Sequence, residues 1–265
     1  MAVIDDIKEQ WDKQKGTSVK HRIAYFMHYY LIWVIVIAAI VAFFTYLIHQ
    51  AVTKKPTAYM AEFINTGATS DSVSDDLSKH IARAAGIDTD KEKIEIMTSR
   101  TLTPGGLQDQ SDVGNNTSIS AEMMKASLDA MVCDEWNFYY YVETASFQDL
   151  RKVLSADELS GYKDDLYYVD LTEIKKIQEE TQKPDYDGTA LEEKPADARA
   201  SESYENFVKP DPSGMDDPVP VGIILSDSSY LKKNKLYPDA VPVFGFVNNS
   251  KHIDTSKQLL EFLMK

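Results

Sequence analysis

The sequence predicts an α/β protein in which one N-terminal transmembrane helix precedes a domain with a mainly parallel or mixed sheet and helices on both faces. Two observations carry this prediction. Residues 29–48 contain no charged side chain, and strand-like and helix-like patterns alternate from residue 58 onward. Such alternation is typical of strands joined by crossover helices. With 265 residues, of which 43% are hydrophobic, the chain is large and apolar enough to build a core.

The apolar stretch 29–48 has the length of a membrane span. A helix of its 20 residues extends about 30 Å, the thickness of the hydrocarbon core of a bilayer. Tyr30, Trp33 and Tyr46 lie near its ends, where aromatic rings meet the membrane interface. The alternatives are a buried core helix and a cleaved signal peptide. The stretch has no polar stripe and ends in bulky residues, so we interpret it as an uncleaved signal anchor.

The basic residues around the span predict its orientation. Five lysine or arginine residues precede it and only Lys54 and Lys55 follow closely, which favours a cytoplasmic N-terminus. The predicted organisation is a basic, amphipathic cytoplasmic segment (1–28), a linker (49–57) and an extracytoplasmic α/β domain (58–265). Residues 1–55 carry a net charge of +3 and the remainder carries −17. The predicted location is therefore the cell membrane, with a single pass.

The first elements of the domain follow from local pattern. Residues 58–64 are apolar and strand-like, and a polar loop follows them. Residues 72–85 place apolar side chains on one helical face and end before a glycine, which predicts a helix. Residues 93–98 alternate as a second strand. Residues 100–117 are rich in Gly, Asn, Asp and Ser and predict a loop.

The middle of the domain is richer in aromatic and sulfur-containing residues. Residues 120–132 predict a helix, and 146–153 predict another that begins with a Ser-x-x-Asp pattern. Between them, residues 136–142 predict an aromatic strand with Phe138 and Tyr140 on one face. We interpret it as a strand buried on both faces or as the aromatic wall of a ligand pocket. The remaining predicted elements are helices 157–162, 171–180 and 255–264 and strands 219–225 and 241–247.

Residues 184–218 differ in composition from the rest of the domain. They contain 5 of the 10 prolines and 10 acidic residues but only 3 basic ones. Such a segment buries little apolar surface. It is predicted to be a solvated insertion, with a lid over a pocket as the alternative.

Composition also excludes several classes of function. A net charge of −14 argues against binding to nucleic acid, which requires a basic surface. The lone Cys133 excludes an intramolecular disulfide and cysteine-based metal clusters, and it is predicted to be a buried structural thiol. No nucleophile elbow, phosphate-binding loop or paired histidine motif is present. We therefore expect no enzyme activity, no cofactor and no metal.

Candidate ligand-binding residues follow from the predicted topology. Ligands of α/β sheets bind beyond the carboxyl ends of strands. This rule selects polar or flexible residues after the first, second and aromatic strands: Thr66, Gly67, Thr69, Thr98, Arg100, Glu143, Thr144 and Ser146. Arg100 is the only base among them and is expected to face any anionic group of a ligand.

A resemblance to known proteins rests on the order of predicted elements. The relevant stretches are 120–150 and 241–251, which follow one membrane span that begins with tyrosines. It resembles single-pass bacterial membrane proteins whose outer domains are distantly similar to extracytoplasmic solute-binding proteins. Their Gly-Asp-x-Asp turn is replaced here by Cys133-Asp134-Glu135-Trp136. The resemblance implies a membrane-anchored, non-catalytic protein that binds or senses a small solute.

The competing hypothesis is a cell-envelope scaffold or assembly subunit that acts through protein–protein contacts. The predicted partners are thus the lipid bilayer, through residues 29–48, and either a small solute or an envelope protein. A concave polar pocket favours binding, whereas a convex surface with an exposed apolar patch favours a scaffold.

Overall fold

The computed structural model describes residues 18–67, 71–103, 110–183 and 207–265. The predictions for residues 1–17, for Thr69 and for 184–206 lie outside the described residues. The chain divides into two compact units, Met1–Lys55 and Pro56–Lys265.

The first unit contains one long helix, α1 (Val19–Thr53). Its segment Leu31–Gln50 is long and apolar enough to cross a membrane, and none of this segment is buried within the structure. The predicted apolar helix is therefore confirmed. A membrane anchor and a signal sequence share this length and composition.

The second unit is built from six strands and the helices between them. The strands are β1 (Thr57–Phe63), β2 (Lys93–Met97), β3 (Ala130–Asp134), β4 (Leu166–Asp170), β5 (Pro218–Ile224) and β6 (Pro242–Phe246). The helices are α2 (Asp71–Ala85), α3 (Gln110–Met124), α4 (Glu135–Glu143), α5 (Leu150–Val153), α6 (Ala156–Gly161), α7 (Leu171–Thr181), α8 (Ser229–Lys233) and α9 (Ile253–Leu263). A short 3₁₀ turn, Pro212–Gly214, precedes β5.

The six strands form one mixed sheet in the order β2-β1-β3-β6-β5-β4. β1 pairs in parallel with both β2 and β3. The pairs β3–β6, β6–β5 and β5–β4 are antiparallel. The α/β class and the mixed sheet are confirmed, but antiparallel pairing dominates the second half of the sheet.

Helices cover both faces of this sheet. Alternate residues of β1 point into two separate apolar cores, with Phe63 in the first and Met60 in the second. The first core contains buried side chains of α2, α5, α8 and α9. The second contains buried side chains of α3, α4 and α7. The predicted arrangement of helices on both faces is therefore confirmed.

The predicted aromatic strand over 136–142 is wrong, because this stretch is helix α4. Asp134 caps it, since its side chain accepts a hydrogen bond from the backbone N–H of Asn137. The buried residues are Asn137, Phe138, Tyr141 and Val142, which follow a helical spacing and not an alternation. The aromatic composition favoured a strand, but the cap and the tertiary contacts decide for a helix.

Three further predictions need correction. The predicted helix over 120–132 is wrong in its second half, because α3 ends at Met124 and β3 follows. β3 is buried on both faces and so carries no alternation, and a short apolar run of this kind cannot be told from a helix by pattern. α3 also begins inside the predicted loop over 100–117. The predicted helix over 146–153 shortens to α5, which is capped by Asp149 and not by Ser146.

Two glycines of the sheet admit a pair of stacked phenylalanine rings. Phe138 of α4 and Phe147 lie with their ring centroids 4.3 Å apart and nearly parallel. A Cβ at Gly222 of β5 would lie 2.5 Å from Phe138. A Cβ at Gly245 of β6 would contact Phe147 and lie 2.9 Å from Phe138. Because glycine has no Cβ, these two positions allow α4 to pack close against the sheet.

Candidate functional site

The predicted site residues lie in two groups, at opposite ends of the strands of the sheet. Thr66, Gly67, Thr98 and Arg100 follow the carboxyl ends of β1 and β2. Helix α4 instead carries the chain back along β3. Phe147 then forms a bridge with Val247, whose N–H donates to the carbonyl of Asp129, just before β3 begins. The predicted group Glu143, Thr144 and Ser146 therefore lies at the amino end of β3.

The residues that follow the carboxyl ends of β1 and β2 pack against other segments of the same chain. Thr66 is 2% exposed, and its Oγ1 donates to the carbonyl of Thr98 at 3.0 Å. The N–H of Tyr237 donates to the carbonyl of Thr66 at 2.9 Å. Gly67 has φ of +69°, and a Cβ there would lie 3.3 Å from the ring of Pro238. In the described structure this edge is thus closed by the segment that contains Tyr237 and Pro238.

Arg100 binds two carboxylates of the chain itself. Its guanidinium donates to Glu122 through both terminal nitrogens at 2.7 Å and to Glu62 at 3.0 Å. It also donates to Ser118 at 3.1 Å. The Arg100 side chain is only 12% exposed and that of Glu62 is fully buried. The guanidinium that we expected to face a ligand therefore holds β1 to α3.

A second polar network, which the sequence did not reveal, ties the loops after β1 and β2 to α4. The side chain of Asn65 both donates to the carbonyl and accepts from the N–H of Leu102. Its amide also donates to Asp134 at 2.8 Å. Asn65 has φ of +59°, a conformation that asparagine tolerates better than most residues. This network positions Asp134 to cap α4.

A groove opens at the amino end of β3, on both sides of the end of α4. One concavity of about 240 Å³ lies between α3, the end of α4 and the loop after β6. A second of about 420 Å³ lies between the end of α4 and α7. Tyr140, Thr144 and Ala145 line both, so we treat the two as one site, the α4 groove. The other residues used below are Asn116, Ser120, Ser146, Asn248, Asn249 and Gln182.

Hydrogen bonds fix the walls of the α4 groove. Asn116 of α3 donates to the hydroxyl of Tyr140 at 2.9 Å and accepts from the hydroxyl of Tyr141 at 3.0 Å. The Oγ1 of Thr144 donates to the carbonyl of Tyr141 at 3.0 Å and lies 2.8 Å from the Oγ of Ser146. The two tyrosine rings meet edge to face with centroids 5.2 Å apart. The wall is therefore pre-organised by side chains of α3 and α4.

The loop after β6 is held by a buried carboxylate. Asp129, which is 1% exposed, accepts hydrogen bonds from the N–H of Met60 at 3.1 Å and from Ser250 at 2.8 Å. It also lies 3.0 Å from the Nδ1 of His252. These contacts anchor the loop that brings Asn248 and Asn249 to the groove.

The α4 groove contains Glu143, Thr144 and Ser146 of the predicted set. The candidate residues did not include Asn116 and Asn248, and Tyr140 was named only in the hypothesis of an aromatic wall. The hypothesis of an aromatic wall identified the relevant stretch of sequence, although that stretch is a helix. Phe138 of the same stretch is fully buried beneath the groove-lining residues of α4. Among the described residues, no group of three or more His, Cys, Asp or Glu side chains is placed to hold a metal ion.

Burial changes the acidity of two groups near the centre of the sheet. Desolvation raises the pKa of Glu62 to about 8, although the nearby Arg100 lowers it and Glu122 raises it. One oxygen of Glu62, Oε1, is buried without a hydrogen-bond partner within the described residues. Desolvation also raises the pKa of Cys133 well above its usual range. This thiol is buried, as the sequence predicted.

The raised pKa of Glu62 predicts a pH-dependent stability. Unfolded Glu62 ionises near pH 4.5, whereas folded Glu62 keeps its proton up to about pH 8. The free energy of unfolding should therefore fall as the pH rises through this window. Glu62→Gln should remove most of this decline, which we expect to be of the order of a few kcal/mol. Denaturation of the full-length protein in detergent between pH 5 and pH 9 measures it, with the exposed Glu179→Gln as control. Parallel profiles of wild type and Glu62→Gln would contradict this prediction.

Comparisons with family models, with curated proteins and with solved structures gave no match to this chain. The class is therefore defined by the fold alone. The chain has an apolar helix long enough to span a membrane, followed by an α/β unit with a six-stranded mixed sheet.

Proposed function

We propose that this chain is a membrane-anchored protein that binds a small ligand outside the cytoplasm without transforming it. The observation that carries the proposal is the α4 groove, a concave surface whose polar and aromatic walls are held by hydrogen bonds. Ligand sites are concave, largely pre-formed and lined by apolar rings with a few placed polar groups. The exposed apolar helix and the greater number of basic residues before it support anchoring with a cytoplasmic N-terminus.

Thermal unfolding of the full-length protein in phosphatidylcholine nanodiscs tests the binding function. The panel contains amino acids, short peptides, neutral saccharides and divalent metal ions. We expect one class to raise the melting temperature, since a ligand at 100 times its Kd stabilises by about 2.7 kcal/mol. Ser120→Trp should fill the groove and abolish the shift. Thr117→Trp, exposed on the same helix but outside the lining, is the matched control.

If no member of the panel shifts the melting temperature, the binding function is contradicted. The scaffold hypothesis, in which the domain contacts envelope proteins, would then be preferred.

Protease treatment of intact cells tests the anchor and its orientation. We expect a C-terminal tag to be digested and an N-terminal tag to be retained and protected, because the basic flank holds the N-terminus inside. A C-terminal tag that is digested only after lysis would contradict the orientation. Loss of the N-terminal tag from the mature protein would instead indicate a cleaved signal sequence. A cytoplasmic marker protein serves as the control for cell integrity.

A further inference from the structure

We infer that the α4 groove binds a neutral saccharide, with Tyr140 as the ring on which a sugar stacks. This inference rests on the proposed ligand-binding function. It concerns only the chemical class of the ligand and the residues that recognise it.

The first argument is the charge of the lining. Among the described residues that line the two concavities, none is a lysine or arginine, and Glu143 is the only one with an acidic side chain. A free amino acid or a peptide terminus brings a carboxylate, and binding a carboxylate out of water requires a cation or several aligned donors. An uncharged ligand needs neither a cation nor several aligned donors. The composition of the groove therefore favours a neutral ligand.

The second argument is the kind of polar group. Apart from Glu143, the polar side chains of the lining are hydroxyls and amides, each of which can pair with a sugar hydroxyl as donor or acceptor. Several of these side chains already form hydrogen bonds with other residues of the protein, so they hold the wall of the groove in place. Ser120 and Asn249 line the first concavity and Gln182 lines the second, and none of the three makes a side-chain hydrogen bond within the described residues. They are the groups that we assign to ligand hydroxyls.

The third argument is the position of Tyr140. Tyr140 lines both concavities. Asn116 donates a hydrogen bond to its hydroxyl, and its ring packs edge to face with the ring of Tyr141. A fixed aromatic ring offers an apolar surface to the C–H face of a sugar and loses little entropy on binding. Two concavities that share Tyr140 fit two joined sugar units.

The test is calorimetric titration of the full-length protein in phosphatidylcholine nanodiscs, because sugar-based detergents would compete. The probes are chitotriose, maltotriose and cellotriose, with trialanine and trilysine as charged probes. We expect at least one saccharide to bind and its Kd to rise about tenfold in Tyr140→Ala. Tyr140→Phe keeps the ring and should bind within about threefold of wild type.

Two further variants guard against misfolding of Tyr140→Ala. Asn249 has φ of +67°, so Asn249→Gly removes the amide without backbone strain and should weaken binding severalfold. Gln182→Ala should also weaken it, whereas the exposed Gln110→Ala, outside the lining, should not. Saccharide binding that is unaffected by Tyr140→Ala and Asn249→Gly would overturn the assignment of the site.

The charged probes separate failure of this inference from failure of the proposed function. Binding of a peptide, lost in Tyr140→Ala, with no binding of any saccharide would overturn the saccharide class and leave the ligand-binding function intact. Absence of binding by every probe would overturn the inference, and a negative thermal panel would overturn the proposed function with it.

Discussion

Replacement of Arg100 by leucine should lower the free energy of unfolding by about 3–5 kcal/mol. The guanidinium is almost buried between Glu62 and Glu122, and its loss leaves the Glu122 carboxylate, and the Glu62 carboxyl group wherever it is ionised, without a cation in a desolvated site. Removing one partner of a buried charge cluster costs more than removing the whole cluster. Chemical denaturation of the full-length protein in detergent, followed by near-ultraviolet circular dichroism, measures the loss.

The double variant Arg100→Leu/Glu62→Gln distinguishes this cause from loss of packing. At pH 9 it should recover part of the stability, because folded Glu62 loses its proton above about pH 8 and glutamine carries no charge. The single variant should also be less damaging at pH 5 than at pH 9, since folded Glu62 takes up a proton below about pH 8. Arg151→Leu is the matched control. Its exposed pair with Asp149 should contribute less than about 1 kcal/mol. Equal losses in Arg100→Leu and the double variant would contradict the electrostatic explanation.

Gly245→Ala should be the second most damaging change, with a loss of about 1–3 kcal/mol or more in stability. The new methyl group would overlap the ring of Phe147 and approach Phe138 within 2.9 Å. Both rings are constrained, because Phe138 is fully buried and stacks on Phe147. The packing of α4 on the sheet must therefore loosen. Thermal unfolding and the near-ultraviolet signal of the aromatic residues report this change.

Gly114→Ala is the control for Gly245→Ala. Gly114 lies inside α3, and a Cβ there meets no atom within 4 Å. Alanine is the better helix former, so this variant should be neutral or more stable by up to about 1 kcal/mol. Unchanged stability in Gly245→Ala would show that the phenylalanine rings can move aside. Because α4 also carries Tyr140, we expect Gly245→Ala to disturb the α4 groove as well.

Elements with a clear period were predictable from the sequence. The first strand agrees with the structure to within one residue, and so does α2, whose apolar face is repeated every three to four residues. β5, β6 and α9 were located within two residues, because turn residues and polar flanks bound them. β4 and α8, each of five residues, were not predicted as elements. Short elements contain too few positions to establish a period.

The candidate site was less predictable than the fold. The rule for carboxyl ends of strands placed Glu143, Thr144 and Ser146 beside Thr66 and Thr98, and it did so because residues 136–142 were taken as a strand. Since that stretch is a helix, these three residues reach the opposite edge of the sheet. Asn116 and Asn248 join them from α3 and from the loop after β6. Contacts over such separations leave no local signal in one sequence.

By itself the sequence determined the apolar helix, the acidic character of the C-terminal unit, the α/β class and the regular amphipathic helices. These depend on composition and on short-range period, which a single chain displays directly. Only the tertiary structure decided that α4 is a helix and that the groove lies at the amino end of β3. It also decided that Arg100 binds Glu62 and Glu122 of the protein itself. The physical reason is that these outcomes depend on contacts between distant residues. The amide of Asn65 reaches Asp134, 69 positions away, and Asp134 then caps the helix that forms the groove wall.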